Sequence, residues 1–381
     1  MQKIKVMSIF GTRPEAVKMA PIVKLMEQDE LIDSQVLVTA QHREMLDQIL
    51  SYFDIVPDYD LNLMAPTQSL DSVTSKIIEG VTSILIKEKP DIILVHGDTT
   101  TTIASSIAAF YQKIKIGHVE AGLRTRNKYS PFPEEMNRQL TDVLSDIYFV
   151  PTEMSKNNLI KENKEEEKIF VTGNTSIDVM KYTISKNYYH DILALTEEKM
   201  ILVTMHRRES LGSPMRNVFK GIAQVAEKYP NISIVFPMHR NPKVREEARL
   251  ILGNFPNIFL IDPLDVVDFH NFAKKSYLIL TDSGGIQEEA PYLNVPVLVL
   301  RDTTERPEGI LSGTLKIIGT NEASVFNETV NLLENSEEYK LMKYSFNPYG
   351  DGKASYRIIE ILKYYFGINK DYPDEFHNTG S

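Results

Sequence analysis

Thr281-Asp-Ser-Gly-Gly-Ile-Gln-Glu-Glu-Ala-Pro291 is the stretch whose reading decides the fold. It follows the apolar run Tyr277–Leu280, which reads as a short buried parallel strand. Ser283, Gly284 and Gly285 then open a helix expected to run from Ile286 to Leu293. Two glycines let a ligand approach the backbone closely, and the first-turn amides of a helix have no partner within it. A phosphate suits such a corner, because the helix dipole adds to the amide donors. Glu288 and Glu289 follow, where one carboxylate can accept two hydrogen bonds from ribose hydroxyls. An ordinary strand–turn–helix with a Gly-rich corner has the same appearance, so the rest of the chain has to decide.

Outward from this stretch the same pattern repeats. Strands are expected at Met200–Thr204, Ile232–Phe236, Ile258–Ile261 and Val295–Leu300, separated by helical segments. The first half reads likewise, with strands at Ile4–Phe10, Gln35–Thr39, Asp91–His96, Ile114–Val119, Ile147–Val150 and Ile169–Val171. Helices are expected from Gly11-Thr-Arg-Pro-Glu15 to about Gln28, over Arg43–Tyr52 and over Leu70–Lys87, with Pro14 well placed at an early helical position. Continuous Val/Ile/Leu runs alternating with helices indicate parallel sheets covered on both faces. The fold class is therefore α/β, with two doubly wound Rossmann-like domains facing a cleft. Gly173 and Asn174 mark the boundary, giving domains at 1–173 and 174–351, a last helix at 352–366 and a poorly ordered tail at 367–381.

The chain has 381 residues, long for one core, and its net charge is -10 from 42 Lys plus Arg against 52 Asp plus Glu. That balance argues against a general nucleic-acid or anionic-membrane surface. Without a single cysteine, disulfides, thiolate nucleophiles and Cys-ligated zinc are excluded. The start, Ile4–Phe10 running straight into Gly11, is too short for a signal peptide or membrane span, and a cytoplasmic enzyme is expected.

The informative residues gather at the carboxyl ends of the strands: Arg13, Asp98, Glu120, His206 and Arg207, His239 and Arg240, and Asp282–Gly285. Open α/β sheets bind ligands at that edge. His96-Gly-Asp98 and His118-Val-Glu120 each allow a metal reading, but two separated pairs fit ligand spacings loosely. An acid–base reading is better, since carboxylates and a histidine near a leaving phosphate can move protons. Arg13, Arg306 and Lys18 would suit a pyrophosphate, although each taken singly reads equally as a solvated surface charge. Pro131-Phe-Pro-Glu-Glu-Met-Asn-Arg138 is a stiff turn into a helix, or simply a helix start with Glu134 and Glu135 near the dipole.

Gly11-Thr-Arg-Pro-Glu15, His118–Thr125, Pro131–Arg138, His206-Arg-Arg-Glu209, Thr281–Pro291, Arg301–Glu308 and Asn347–Gly352 occur in collinear order over residues 4 to 365. Together they resemble the non-hydrolysing UDP-N-acetylglucosamine 2-epimerases. The resemblance implies a fold of the glycosyltransferase-B type, with the final helix returning to the first domain. It implies reversible conversion of UDP-GlcNAc to UDP-ManNAc for cell-surface polysaccharide, with no metal or nicotinamide required, and a homodimer. Asp98, Glu120, Glu134 and His206 fall on the family's catalytic positions. Arg13, Lys18, Ser283, Gly284, Gly285, Glu289 and Arg306 fall on substrate-binding positions, with Leu264 and Phe269 beside the uracil. Gln41, His42 and Arg43, with Arg207 and His239, match a site at which some members hold a second UDP-GlcNAc as activator. Here Glu44 and Thr67 stand where those members carry Gln and Arg, and Met205 replaces the small residue usual before the histidine. Rival readings are the hydrolysing epimerase, a UDP-sugar-dependent glycosyltransferase and a catalytically inactive UDP-sugar sensor.

Overall fold

The computed structural model describes residues 3–40, 43–63, 69–207, 210–304 and 306–377. The chain forms two compact units, one of Met1–Val179 with Gly350–Thr379, the other of Met180–Tyr349.

In the first unit the strands are β1 (Ile4–Phe10), β2 (Ile32–Val38), β3 (Tyr59–Asp60), β4 (Ile92–His96), β5 (Lys115–Val119), β6 (Ile147–Val150) and β7 (Ile169–Val171). They form one sheet in the order β3-β2-β1-β4-β5-β6-β7, all parallel. The central strands are buried along their whole length, as an all-parallel sheet with helices on both faces requires: every residue of β4 and β6 is inside. The order reverses between β1 and β4, and this switch point opens the crevice where the loops after both strands lie side by side.

The second unit repeats the pattern with β8 (Met200–Thr204), β9 (Ser233–Pro237), β10 (Ile258–Ile261), β11 (Leu278–Thr281), β12 (Val297–Val299) and β13 (Leu315–Ile317). The order is β10-β9-β8-β11-β12-β13, again parallel, with the switch point between β8 and β11. One core cluster, including Val203, Met205, Phe219 and Phe236, fills one face; another, including Leu202, Phe272 and Val297, fills the other. Met205 is thus a core residue, which accounts for a large side chain there.

Three departures from the sequence reading have physical causes. The division falls after Val179, inside helix Thr175–Thr183, and not at Gly173. The carboxylate of Asp178 accepts from the amides of Ala354 and Ser355 at 3.2 and 2.8 Å, binding the start of that helix to the first unit. Helix Ala354–Tyr365 packs on helix Arg13–Glu27 and buries Ile358, Ile359, Ile361 and Leu362. The expected poorly ordered tail is instead, up to His377, a strap along the edge strand β7. Val171 donates to Glu375 and accepts from Phe376, both at 2.7 Å, and Tyr372 lies 5.8 Å from Phe170, ring to ring. It covers an edge that would otherwise leave backbone groups unpaired. Finally, the helix at Gly284–Glu289 gives way to a 3-10 turn over Ala290–Leu293, where Pro291 has no amide to continue the α-helical ladder.

Candidate functional site

In the first unit the loops after β1, β4 and β5 converge. Gly11 ends β1 where a Cβ would stand 2.0 Å from the Thr39 hydroxyl oxygen, so only glycine lets the chain turn into helix Arg13–Glu27. The buried carboxylate of Glu15 ties this corner to the next. One oxygen accepts from the amides of Gly11 and Thr12 at 3.1 and 2.8 Å; the other accepts from the Thr99 hydroxyl at 2.6 Å, just beyond Asp98. Burial raises the Glu15 carboxyl above the usual carboxylate range, against the pull of these donors.

Asp98 and Glu120 occupy the ends of the neighbouring strands β4 and β5. Asp98 is held by the Arg138 guanidinium and, through its carbonyl, by the Asn137 amide at 2.9 Å. Glu120 takes a left-handed backbone, φ 63°, uncommon outside glycine and concentrated at functional positions. Its Oε2 meets the Lys18 ammonium and the Asn174 amide, the latter at 3.3 Å. The Nε2 of buried His96 stands 3.7 Å from the same oxygen. Burial drives the His96 imidazole down to about 3, with Lys18 and His118 pushing the same way and Glu120 opposing, so the ring is neutral at ordinary pH.

His118, beneath Glu120, has both ring nitrogens on acceptors: Asp142 at 2.6 Å and the Gly97 carbonyl at 2.7 Å. Among the described residues no group of three His, Asp or Glu is arranged to hold a metal. Glu134 begins helix Glu134–Leu144 and is half-buried, whereas its neighbour Glu135 is fully buried, accepting from the amides of Thr125 and Arg126 at 2.9 Å each. Arg13 is half-buried on the first turn of its helix.

The second unit builds its site around Asp282, which is fully buried after β11. Its carboxylate accepts from the amides of His206 and Arg207, each as close as 3.0 Å, from the Ser210 hydroxyl at 3.2 Å, and from the His206 ring at 3.2 Å. Burial pushes this carboxyl up, but the donors of His206 and Arg207 outweigh it and hold it below the usual value. Asp282 thereby fixes the loop after β8 to the loop after β11. The His206 ring, 44% exposed at its side chain, stacks 6.1 Å from His239, whose own imidazole is lowered by burial and by His206.

Gly284 carries two guanidinium groups over its open face. A Cβ there would lie 3.7 Å from Arg207 and 3.9 Å from Arg306. Arg306 is held by the buried Glu288, and the adjoining Thr304 hydroxyl donates to Gln287 at 2.6 Å. Glu289 is half-buried, 3.6 Å from the His270 ring. Leu264 and Phe269 are partly buried against the core below the corner.

Asp98, Glu120 and Lys18 therefore come together in the first unit, and His206, Ser283, Gly284, Gly285, Glu289 and Arg306 lie along one sheet edge of the second. Lys18 is paired with Glu120. Arg43 is held by Asp47 and Asp60, while Gln41 and His42 lie outside the described residues. The sequence reading missed the roles of Glu15, His96, Arg138 and Asp142. Glu15 and Arg138 lay within quoted motifs, but only the fold shows which way their charges face.

Seven- and six-stranded parallel sheets in tandem, each with its polar residues at the carboxyl edge, define an α/β protein of the glycosyltransferase-B type. The family profile described as UDP-N-acetylglucosamine 2-epimerase matches residues 24–363. The UDP-N-acetylglucosamine 2-epimerase of Bacillus subtilis is 55% identical over 377 residues, covering 99% of each chain. An S. aureus protein solved with UDP superposes with a TM-score of 0.88 at 54% identity, over 99% of this chain and 100% of that one. The Neisseria meningitidis UDP-GlcNAc 2-epimerase bound to UDP-GlcNAc gives 0.85 at 50% identity, over 94% and 99%. This chain belongs to the UDP-N-acetylglucosamine 2-epimerase family, and it is an enzyme.

Proposed function

We propose that the enzyme interconverts UDP-GlcNAc and UDP-ManNAc without hydrolysing either, by expelling UDP from C1, removing the C2 proton to leave 2-acetamidoglucal, and adding both back with C2 inverted. The C2 proton has no adjacent carbonyl to acidify it, so departure of the nucleotide comes first. The observation that carries this reading is the pair Asp98 and Glu120 on adjacent strand ends, each held by a cation. Asp98, Glu120, Glu134 and His206 are the proton-handling groups. Arg306 and Arg207, with the amides of Ser283–Gly285, stabilise the leaving pyrophosphate. Glu289 takes the ribose, Leu264 and Phe269 the uracil, and Arg13 supports the phosphates. Lys18, paired with Glu120, is a further substrate-binding cation.

We place the reaction in the cytoplasm, supplying ManNAc units for cell-surface polysaccharide; no helix among the described residues is long and apolar enough to cross a membrane. A homodimer is supported by Phe110, Tyr111, Leu140 and Val143, exposed on adjacent helices Thr100–Tyr111 and Glu134–Leu144. Arg43, Arg207 and His239 remain the candidates for holding an activating second UDP-GlcNAc. The test is proton NMR of the products: UDP-ManNAc in equilibrium with UDP-GlcNAc is expected, whereas free ManNAc with UDP would make the enzyme a hydrolysing one.

A further inference from the structure

We propose that His96 is a positioning residue for Glu120, its Nε2 supplying the hydrogen-bond acceptor that the Glu120 carboxyl needs while it holds a proton. This rests on the reading of Glu120 as a proton-handling group. His96 ends β4 with 3% of its surface exposed, and its Nε2 is a buried polar atom without a hydrogen-bond partner, aimed at Glu120 Oε2 from 3.7 Å. Its carbonyl is pinned by the Thr102 hydroxyl at 2.6 Å, so the ring cannot drift from that position with the strand end. A buried polar atom left without a partner is costly, and such sites call for an explanation.

The charges around Glu120 supply one. Lys18, from helix Arg13–Glu27, already favours the carboxylate. A second cation beside it would hold the group ionised and prevent it from taking up a proton from carbon. The groups facing His96 are Glu120, Lys18 and His118, and burial together with Lys18 and His118 keeps its ring uncharged. An uncharged imidazole adds no charge to the carboxylate form but can accept from the acid form. When Glu120 takes the C2 proton, its new O–H turns to His96 Nε2; that hydrogen bond is released when Glu120 gives the proton up to solvent, while a different group delivers a solvent-derived proton to the opposite face of C2. No proton passes on to His96.

The experiment compares His96→Gln, whose amide reaches the Nε2 position, with His96→Asn, which replaces only the nearer ring nitrogen, each in the wild-type and Glu120→Gln backgrounds. His96→Asn is expected to lower kcat about tenfold, the rate equivalent of one hydrogen bond, with KM little changed. It also moves the Glu120 limb of the pH–kcat profile to lower pH, because the acid form loses its acceptor. His96→Gln stays within about threefold of wild type, and His96→Asn has no further effect once Glu120 is Gln. Equal rates for the two variants, or the same tenfold loss in both backgrounds, would overturn the proposal. A Glu120→Gln enzyme as fast as wild type is a separate result that removes Glu120 from catalysis and this role with it. Should both His96 variants fail to fold, imidazole 15N shifts of the wild type decide: His96 neutral across about pH 5 to 8 supports the role, and protonation in that range overturns it.

Discussion

Glu15 shows what a single carboxylate can organise. Its two oxygens accept from Gly11, Thr12 and Thr99, joining the loop that carries Arg13 to the loop that carries Asp98. Glutamine can keep these contacts, with its oxygen on the amides and its NH2 donating to the Thr99 hydroxyl, whereas alanine leaves buried donors unpaired. Glu15→Ala is expected to cost about 1–3 kcal/mol of stability, read by denaturant unfolding, and Glu15→Gln much less. The pH dependence carries a sign. The folded carboxyl titrates above its ordinary value of 4.5, so its contribution is complete below that value and is lost as pH rises through the folded one. Glu15→Gln should remove this decline; an unchanged pH–stability curve would show that Glu15 is not the group responsible. Catalysis separates from binding at the same scale. Asp98→Asn and Glu120→Gln should still bind UDP in calorimetry but lose roughly a hundredfold or more in turnover. Arg306→Ala should weaken UDP binding instead, and an unchanged affinity would take it off the phosphates.

At the scale of elements, the segment β5 to helix Glu134–Leu144 is fastened by His118, Asp142 and Arg124, whose side chains are buried, with Arg124 also paired to the exposed Glu162. Burial raises the Asp142 carboxyl, but His118 and Arg124 together hold it below its ordinary range. Its stabilisation is therefore present above the unfolded value and is lost as pH falls through the depressed folded one. Asp142→Asn removes the buried carboxylate that His118 and Arg124 share and is expected to cost about 3–5 kcal/mol, measured by thermal unfolding; a change within error would make the network ornamental to stability. Much at this scale was legible in the sequence, because fully buried parallel strands such as Ile92–His96 and Met200–Thr204 are unbroken apolar runs. Tyr59–Asp60 and Leu315–Ile317 were not: they are edge strands of two and three residues, partly exposed, with no pattern long enough to read. The candidate site was legible as motifs, but Asp282 facing inward onto two amides, and His96 facing Glu120, depend on side-chain directions that spacing does not carry.

At the scale of the whole molecule, the last helix completes the first unit although it follows the second in sequence. Ile358, Ile359, Ile361 and Leu362 are each less than 5% exposed, and at about 1.5–3 kcal/mol per side chain their burial rivals the whole stability of a domain. Ending the chain before Ala354 should therefore unfold the first unit while amides in β8–β13 stay protected from hydrogen exchange; protection retained in β1–β7 would contradict this. The central claim, that the sugar passes through 2-acetamidoglucal, is tested most directly by running the reaction in deuterated water and reading C2 by NMR. The mechanism breaks the C2–H bond and rebuilds it from groups that exchange with solvent, so newly formed UDP-ManNAc should carry deuterium at C2. An epimer that kept its original hydrogen there would contradict elimination and re-addition.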